Sequence, residues 1–267
     1  MPNRFLATIW LCFVSLAAAL ASGLALSAPL AGAQDTQGVA SVENAQTDPA
    51  GPHEAAGDWI SLFDGENLGC WTDGEEAGSI VPTVKDGCIV LGMGSMSSGI
   101  KFDQGKADKP FPKTNYEIEY IAKRQSGNDF FAALTFPFGD SCCTVVNGGW
   151  GGTLFGLSNI DNMDASENNS SSYFNFKNKT WYVFRVRVTD HTISVWLDDE
   201  KKIDINTEGH EISIRLEMNR YKPFGFASWV TEGWIRSIRY RHLSEDEIND
   251  INTEAETKRT TKRKFTF

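Results

Sequence analysis

Apolar and polar residues alternate along several short stretches of the chain. The clearest are residues 116–122, 181–188 and 193–197. Successive side chains of a strand point to opposite faces, so this period of two predicts strands with at least one buried face. Turn signals such as Asp64-Gly65 and Asp86-Gly87 separate the stretches. Because no helical period lasts three turns between residues 58 and 243, the pattern predicts an all-β domain, a sandwich of two antiparallel sheets.

Residues 180–205 give the clearest local pattern. A strand is followed by a turn at residues 189–191, a strand that carries Trp196, a second turn, and a return strand at residues 202–205. This order predicts consecutive antiparallel hairpins. It is similar to the back half of concanavalin-like jelly rolls, where one curved sheet often carries the sugar. Any β-sandwich uses such hairpins, so the stretch indicates architecture and leaves activity open.

The first 57 residues have a different character. Residues 1–33 carry one charge, Arg4, followed by a long apolar stretch that ends in Ala31-Gly32-Ala33, and this predicts a cleaved secretory signal peptide. An uncleaved membrane anchor is the alternative. Residues 34–57 have no apolar period and predict a flexible leader. We therefore expect a secreted or periplasmic protein whose folded domain spans residues 58–243.

The net charge narrows the range of partners. The chain has 35 acidic and 25 basic residues, a formal net charge of −10. Loss of Arg4 with the signal peptide makes the charge one unit more negative. Such acidity argues against a nucleic acid or an anionic lipid bilayer as a partner. The chain carries no pattern that predicts an oligomeric state.

Four cysteines follow the predicted signal peptide. In an oxidising compartment Cys70 and Cys88 could close a loop of about 19 residues, a disulfide worth about 3 kcal/mol in the chain-entropy model. The neighbours Cys142 and Cys143 should point to opposite faces of a strand, so one of them is expected to be a buried apolar side chain.

The ends of the predicted domain carry matching motifs. The opening, residues 59–71, has the form W-x-x-L-F-D-G-x-x-L-x-x-W, and the close, residues 235–241, has the form I-R-x-I-x-x-R. Together they resemble the 3-keto-disaccharide hydrolase-like family over residues 58 to 243. The resemblance implies a concanavalin/LamG-like jelly-roll β-sandwich and a carbohydrate substrate.

The middle of the domain offers a candidate sugar site. Glycines 148, 149, 151 and 152 flank Trp150, and the polar Asn147 precedes them. Glycines let a flat ligand approach the backbone, and an indole offers a face to the C–H bonds of a sugar. We expect Trp150, Asn147 and Phe131 to bind substrate. A glycine-rich turn with Trp150 packed in the core is the alternative.

The reaction that the resemblance implies is elimination from a 3-keto sugar. A base removes the hydrogen at C2, an enolate forms, and the C1 substituent leaves, after which water adds. We assign the base to Asp129, the stabilisation of the enolate to Arg124, and a reserve acid to Glu119 or Asp140. Five positions separate residues 119 and 124 on one strand, so their side chains should face opposite sides of the sheet. Unless a bulge intervenes, Glu119 and Arg124 cannot reach the same site and are competing candidates.

Metal chemistry has weak support in the sequence. No pair of histidines has the spacing of metal ligands, and we assign no metal ligand and no cofactor. Asp161, Asp164 and Glu167 predict a turn stabilised by Asp and Asn side chains without metal, and a Ca²⁺ ion held by these three residues is the alternative.

After the domain, Ser244 and Glu247 have the spacing of a capping box, which predicts a short helix to about Thr253. The basic residues 258–264 predict a disordered tail.

Three functions follow from these features. The first is an exported enzyme that cleaves 3-keto glycosides and has an oligosaccharide or keto-sugar as its substrate. The second is a non-catalytic glycan-binding module, and the third is a structural interaction domain. A carboxylate and a cation that converge beside Trp150 would favour the first.

Overall fold

The computed structural model describes residues 58–264, and these form a sandwich of fifteen strands. The predicted signal peptide and leader lie outside the described residues. In chain order the strands are β1 (Ile60–Ser61), β2 (Trp71–Asp73), β3 (Thr83–Lys85), β4 (Cys88–Leu91), β5 (Ser97–Phe102), β6 (Tyr116–Ser126), β7 (Ala133–Phe138), β8 (Ser141–Gly148), β9 (Leu154–Ser158), β10 (Ser172–Tyr173), β11 (Trp181–Val188), β12 (Thr192–Leu197), β13 (Glu200–Asn206), β14 (Gly225–Trp229) and β15 (Glu232–His242).

The strands form two antiparallel sheets. The first sheet has the order β13-β12-β11-β6-β15-β4-β3, with β1 paired to β15, and the second has the order β10-β9-β8-β7-β14-β5-β2. One apolar core, to which both sheets contribute, lies between them. This confirms the predicted all-β sandwich of jelly-roll type.

The alternation seen in the sequence sets the faces of the first sheet. In β6, Tyr116, Ile118 and Tyr120 belong to the core, whereas Glu117 and Glu119 point to the outer face. In β11 the register places Arg187 beside Glu117 and Arg185 beside Glu119. The period of two therefore separates an aromatic core from a row of charges.

We call the outer face of the first sheet the charged face. It carries tryptophans, cations and the two β6 glutamates, namely Trp59, Trp181, Trp196, Trp234, Lys123, Arg185, Arg187, Arg239, Arg241, Glu117 and Glu119. Arg241 and Arg187 donate to the two carboxylate oxygens of Glu117 at 2.8 and 2.7 Å. The guanidinium of Arg185 lies 4.3 Å from the ring of Trp196. The indoles of this face are thus covered by cations.

The opening and closing motifs meet in space. β1 pairs with β15, with Ile60 opposite Tyr240. Trp71 is buried in the core, and its Nε1 donates to the carbonyl of Leu62 at 2.8 Å. Asp64 accepts from two backbone N–H groups in the predicted Asp-Gly turn. The motifs therefore join the beginning of the domain to its last strand.

The helix after the domain, Glu245–Lys264, is longer than expected. The predicted capping box is present, since Glu247 accepts from the backbone of Ser244 at 2.9 Å and the Ser244 hydroxyl accepts in return. Lys258 pairs with Glu254 one turn earlier and with Asp204 of β13. These contacts explain why residues 258–264, expected to be disordered, continue the helix. Within residues 58–264 we find no helix with the length and apolarity needed to cross a bilayer.

The cysteines correct one prediction. Cys70 and Cys88 are free thiols, so the disulfide between them is wrong. Cys70 adjoins β2 of the second sheet, whereas Cys88 lies in β4 of the first, and their Sγ atoms face different backbone carbonyls. Cys143 packs in the core and Cys142 lies on the other face of β8, which confirms the prediction that one of the pair is a buried apolar side chain.

Candidate functional site

A cleft of about 260 Å³ opens on the outer face of the second sheet. Its floor consists of the outward-facing Ala133, Thr144, Val146 and Ser158 of the central strands. Its walls come from the loops around these strands, and they contain Asp129, Phe130, Trp150, Arg215, Glu217, Met218 and Trp229. Short side chains on the strands leave the space that the longer side chains of the loops enclose.

The turn Gly149–Gly152 presents Trp150 to solvent. Trp150 and Gly151 adopt left-handed backbone angles, with φ of 49° and 90°. A left-handed tryptophan is sterically unfavourable, and the neighbouring glycines accommodate the rest of the turn. The Trp150 side chain is 46% exposed at the cleft. The indole is therefore not packed in the core.

Arg124 holds the loops of the cleft from beneath. Its side chain is buried, and Nη1 donates to the carbonyls of Asp129 and Gly152, each at 3.3 Å. Nη2 donates to the carbonyl of Phe176, and Nε donates to the side-chain oxygen of Asn178 at 2.6 Å. Burial lowers the pKa of the guanidinium. Arg124 thus fixes the backbone of both Asp129 and the tryptophan turn.

Gly152 is required by this arrangement. A Cβ at this position would lie 2.8 Å from Nη1 of Arg124, and its φ of +103° disfavours other residues. The glycine that we expected to admit a ligand instead admits a guanidinium.

The carboxylate of Asp129 is half-buried in the cleft wall. Its Oδ1 accepts from the backbone N–H of Phe130 at 2.7 Å. Its Oδ2 has no hydrogen bond or ion pair with any of residues 58–264. One oxygen is therefore fixed in position and the other is available to a ligand.

Arg215 supplies the cation of the cleft. Its Nε and Nη2 donate to one oxygen of Glu217 at 2.9 and 2.7 Å, and its Nη1 donates to Asp164 at 2.8 Å. Of its five N–H groups, one on Nη1 and one on Nη2 have no partner in the described part of the chain. The guanidinium also lies 5.6 Å from the ring of Trp150.

The pKa values of this pair favour two charges. The hydrogen bond to Glu217 raises the pKa of Arg215 against the opposing effect of burial. Burial acts to raise the pKa of Glu217, but the hydrogen bonds and the charge of Arg215 outweigh it and lower that pKa. Both groups are ionised near neutral pH.

The structure separates the other candidate residues from the cleft. Phe131 and Asn147 face the core, where Asn147 donates to the hydroxyl of Tyr120 at 2.7 Å. Glu119 is buried on the charged face and accepts from Arg239 at 2.7 Å. Asp140 forms an exposed ion pair with Lys113. Of the seven predicted residues, Asp129 and Trp150 line the cleft and Arg124 lies beneath it.

The acidic loop is organised by hydrogen bonds. Asp164 accepts from the backbone of Ser166 at 2.8 Å and from Arg215, and Asp161 accepts from His210 at 2.7 Å. These contacts confirm the interpretation as a turn stabilised by Asp side chains. Among residues 58–264 no three His, Cys, Asp or Glu side chains are grouped so as to hold a metal ion, and the set Asp161, Asp164 and Glu167 is no exception.

Sequence reasoning missed Arg215, Glu217 and Trp229. Arg215 and Glu217 lie in the segment between β13 and β14, around a 3₁₀ helix at Leu216–Tyr221, where the sequence shows no alternation. Asp164, 51 positions earlier, meets Arg215 only in the folded chain. The one local signal is the Arg-x-Glu spacing, which is common on surfaces.

A larger cavity, about 790 Å³, lies between the C-terminal helix and the first sheet. Its charged groups are already paired, as Lys258 with Asp204 and Glu254 shows. Among the described residues that line it there is no Trp, Tyr or Phe. The smaller cleft, with an exposed indole and partly free polar groups, is therefore the better candidate site.

A comparison with models of protein families gave a match. A family model described as the 3-keto-alpha-glucoside-1,2-lyase-like domain matches residues 58–241. A search of curated proteins gave no significant match.

Three solved structures are similar to this chain. They are the carbohydrate binding module CBM66 from Bacillus subtilis (13% identity, 64% of this chain, 95% of that chain, TM-score 0.43), domain 4 of AbnA, a GH43 extracellular arabinanase from Geobacillus stearothermophilus, in complex with arabinotriose (14%, 68%, 86%, 0.41), and a Crh5 transglycosylase in complex with NAG (11%, 71%, 86%, 0.49). At these values the similarities carry no argument about activity.

Proposed function

Since this chain belongs to the 3-keto-alpha-glucoside-1,2-lyase-like domain family, we propose that it is an exported enzyme that cleaves 3-keto glycosides, with the cleft as its active site. One observation carries the proposal. An exposed indole, a carboxylate with a free oxygen and an arginine with free N–H groups line the same cleft. In an elimination from a sugar ketone the carboxylate can act as the base and the arginine can stabilise the enolate, while the indole can hold the sugar.

Trp150 is proposed to position the sugar. Its exposed ring offers a face to the C–H bonds of a pyranose, and Arg215 beside it offers N–H groups to hydroxyl or carbonyl oxygens. The short side chains of Thr144 and Ser158 leave room on the floor of the cleft.

Asp129 is proposed to be the base. Its carboxylate takes the proton from C2, the C–H electrons form the enolate of C2, C3 and the ketone oxygen, and the C1–O bond then breaks. The protonated carboxyl can return its proton to the departing oxygen, so one group serves as base and acid. The products are an enone and an alcohol, and addition of water to the enone completes a net hydrolysis.

Arg215 replaces Arg124 in the proposed stabilisation of the enolate. The guanidinium of Arg124 is buried and donates to three carbonyls and an amide oxygen. Arg215 has N–H groups to spare and a raised pKa, so it stays charged while negative charge develops on the ketone oxygen. Glu119 and Asp140 lie outside the cleft, so Asp129 also takes the role of the acid in this proposal.

A glycan-binding module without catalysis is the second candidate. Trp150 and Trp229 both line the cleft, and aromatic platforms bind sugars without acid or base groups.

The test is incubation of residues 34–267 with a 3-keto glucoside while the release of the C1 leaving group is followed. We expect release, and we expect Asp129→Asn to lower kcat/KM by about 10²- to 10⁴-fold with the fold intact. Asp140→Asn, which changes an exposed aspartate outside the cleft, is the matched control and should retain full activity. Saturable sugar binding without release would instead establish the binding module.

A further inference from the structure

One side of the cleft is apolar. Phe130, Met218 and Trp229, which we call the apolar wall, line it together. The rings of Phe130 and Trp229 have centroids 6.3 Å apart, and the backbone N–H of Trp229 donates to the carbonyl of Phe130 at 3.1 Å. Met218 packs with Tyr221 and Ala227 behind this wall. The charged groups Arg215 and Glu217 form a different part of the lining.

Two exposed apolar residues adjoin the backbone of Trp229. Met96 and Val230, which we call the apolar rim, are each 41% exposed. Trp229 pairs with Ser97 across β14 and β5, and the N–H of Val230 donates to the carbonyl of Met96 at 3.4 Å. The backbone of the rim is therefore adjacent to that of Trp229, outside the residues that line the cleft.

The rim is held at a conformational cost. Val230 has a φ of +42°, which is unfavourable for a β-branched residue. This backbone lies where the chain crosses in two residues from β14 of the second sheet to β15 of the first, and it leaves the apolar side chain exposed.

From these features we infer that the apolar wall and rim form the subsite for the leaving group, and that this group is an apolar, aromatic aglycone. This inference rests on the proposed function for its chemistry, because the sugar is placed at Trp150 and the departing group must lie beyond C1. Apart from the indole N–H of Trp229 and the weakly accepting sulfur of Met218, the side chains of the wall offer no hydrogen-bond partner. Most hydroxyls of a second sugar would therefore lose water without replacement, whereas an aromatic ring would bury its faces against Phe130 and Trp229.

The test compares two 3-keto glucosides, benzyl and methyl, whose leaving alcohols have similar acidity, with the keto form of a glucose disaccharide as the third substrate. We expect kcat/KM for the benzyl compound to exceed that for the other two by at least about tenfold. In parallel, calorimetry with the unoxidised benzyl and methyl glucosides, each as both anomers, measures binding without turnover. The benzyl compound should bind about tenfold more tightly.

Variants locate the preference. Met96→Gln keeps the shape of the side chain and adds an amide, and Val230→Ser removes two methyl groups from the rim. Each should reduce the ratio of kcat/KM for the benzyl compound to that for the methyl compound about threefold. Trp229→Ala should bring this ratio near one, because it removes more apolar contact area than either rim variant. Ile60→Thr changes a residue of equal exposure, 41%, on the first sheet and should leave the ratio unchanged.

The outcomes separate the two proposals. Equal binding of benzyl and methyl glucosides, or a preference for the disaccharide, would overturn the aglycone subsite even if 3-keto glycosides are cleaved. A preference for benzyl binding that the rim variants reduce, without cleavage of any keto glucoside, would support the subsite and reject the enzyme. A preference that the rim variants and Trp229→Ala leave unchanged would also overturn the assignment.

Discussion

The two outer faces of the sandwich carry the same kinds of residue, but these residues have different roles on each face. On the charged face Glu117 is fully buried between Arg187 and Arg241, and Trp196 is covered by Arg185. On the cleft side Asp129 has an oxygen, and Arg215 has N–H groups, without a hydrogen-bond partner among the described residues, and Trp150 is nearly half exposed. The presence of Trp, Arg and Glu therefore does not identify a site. A site is marked by exposed aromatic surface and by polar groups that still lack hydrogen-bond partners.

The largest expected effect is on the charged face. Glu117→Gln removes the buried counter-ion that Arg187 and Arg241 share, although Arg241 keeps its pair with Glu247. We expect the free energy of unfolding to fall by about 3 kcal/mol, the lower end for a broken buried ion pair. Denaturant titration measures this loss, while kcat/KM of the folded protein should not change. A Glu117→Gln variant as stable as the parent would show that the ion pairs of the charged face do not stabilise the fold.

The cleft should respond in the opposite way. Arg215→Ala removes the proposed enolate donor, and we expect kcat/KM to fall by about 10²- to 10³-fold. Its ion pairs are partly exposed, so stability should change by less than about 1 kcal/mol. Arg185→Ala, which removes an arginine from above Trp196, is the matched control and should retain activity. Equal losses of activity in both variants would contradict the assignment of the active site to the cleft.

Trp150 of the cleft and Trp196 of the charged face should differ in the same way, with smaller effects. Trp150→Ala should weaken sugar binding about tenfold, or about 1.4 kcal/mol, with little change in stability. Trp196 is buried, and its replacement by Ala should lower the melting temperature and leave sugar binding intact. Calorimetric titration and thermal unfolding of the two variants give both values. Loss of binding in the Trp196 variant would contradict the assignment of the faces.

The smallest effect concerns pH. Hydrogen bonds from Arg241 lower the pKa of Glu247 from its ordinary 4.5 to about 2. The stability that this carboxylate contributes is therefore complete above pH 4.5 and is lost as the pH falls towards 2. Because 36% of the Glu247 side chain is exposed, screening limits the effect to about 1 kcal/mol. Unfolding curves between these pH values should show this component, and Glu247→Gln should remove it.

The fold was predictable because its signals are local. The alternation along β6 and β11 sets which side chains enter the core, and the capping box at Ser244 fixes the start of the helix. The length of that helix was not predictable, since it depends on the contact of Lys258 with Asp204 of a distant strand.

Two of the residues singled out in the sequence line the candidate cleft, namely Trp150, marked by its flanking glycines, and Asp129, assigned as the base of the implied reaction. Asn147 failed as a substrate-binding candidate because the parity of β8 turns it towards Tyr120 in the core. Arg215 could not be found, since its partner Asp164 lies 51 positions away and no spacing in the sequence marks the pair.

The way in which Arg124 anchors the cleft bears on how this protein can diversify. Three of its four partners are main-chain carbonyls, those of Asp129, Gly152 and Phe176, and a carbonyl is the same whatever side chain its residue carries. The loops can therefore exchange the side chains at positions 129 and 150 without losing their anchor. A library randomised at these positions, with Arg124 and Gly152 kept, should yield folded proteins at high frequency, so the cleft is a scaffold on which new specificities can be selected.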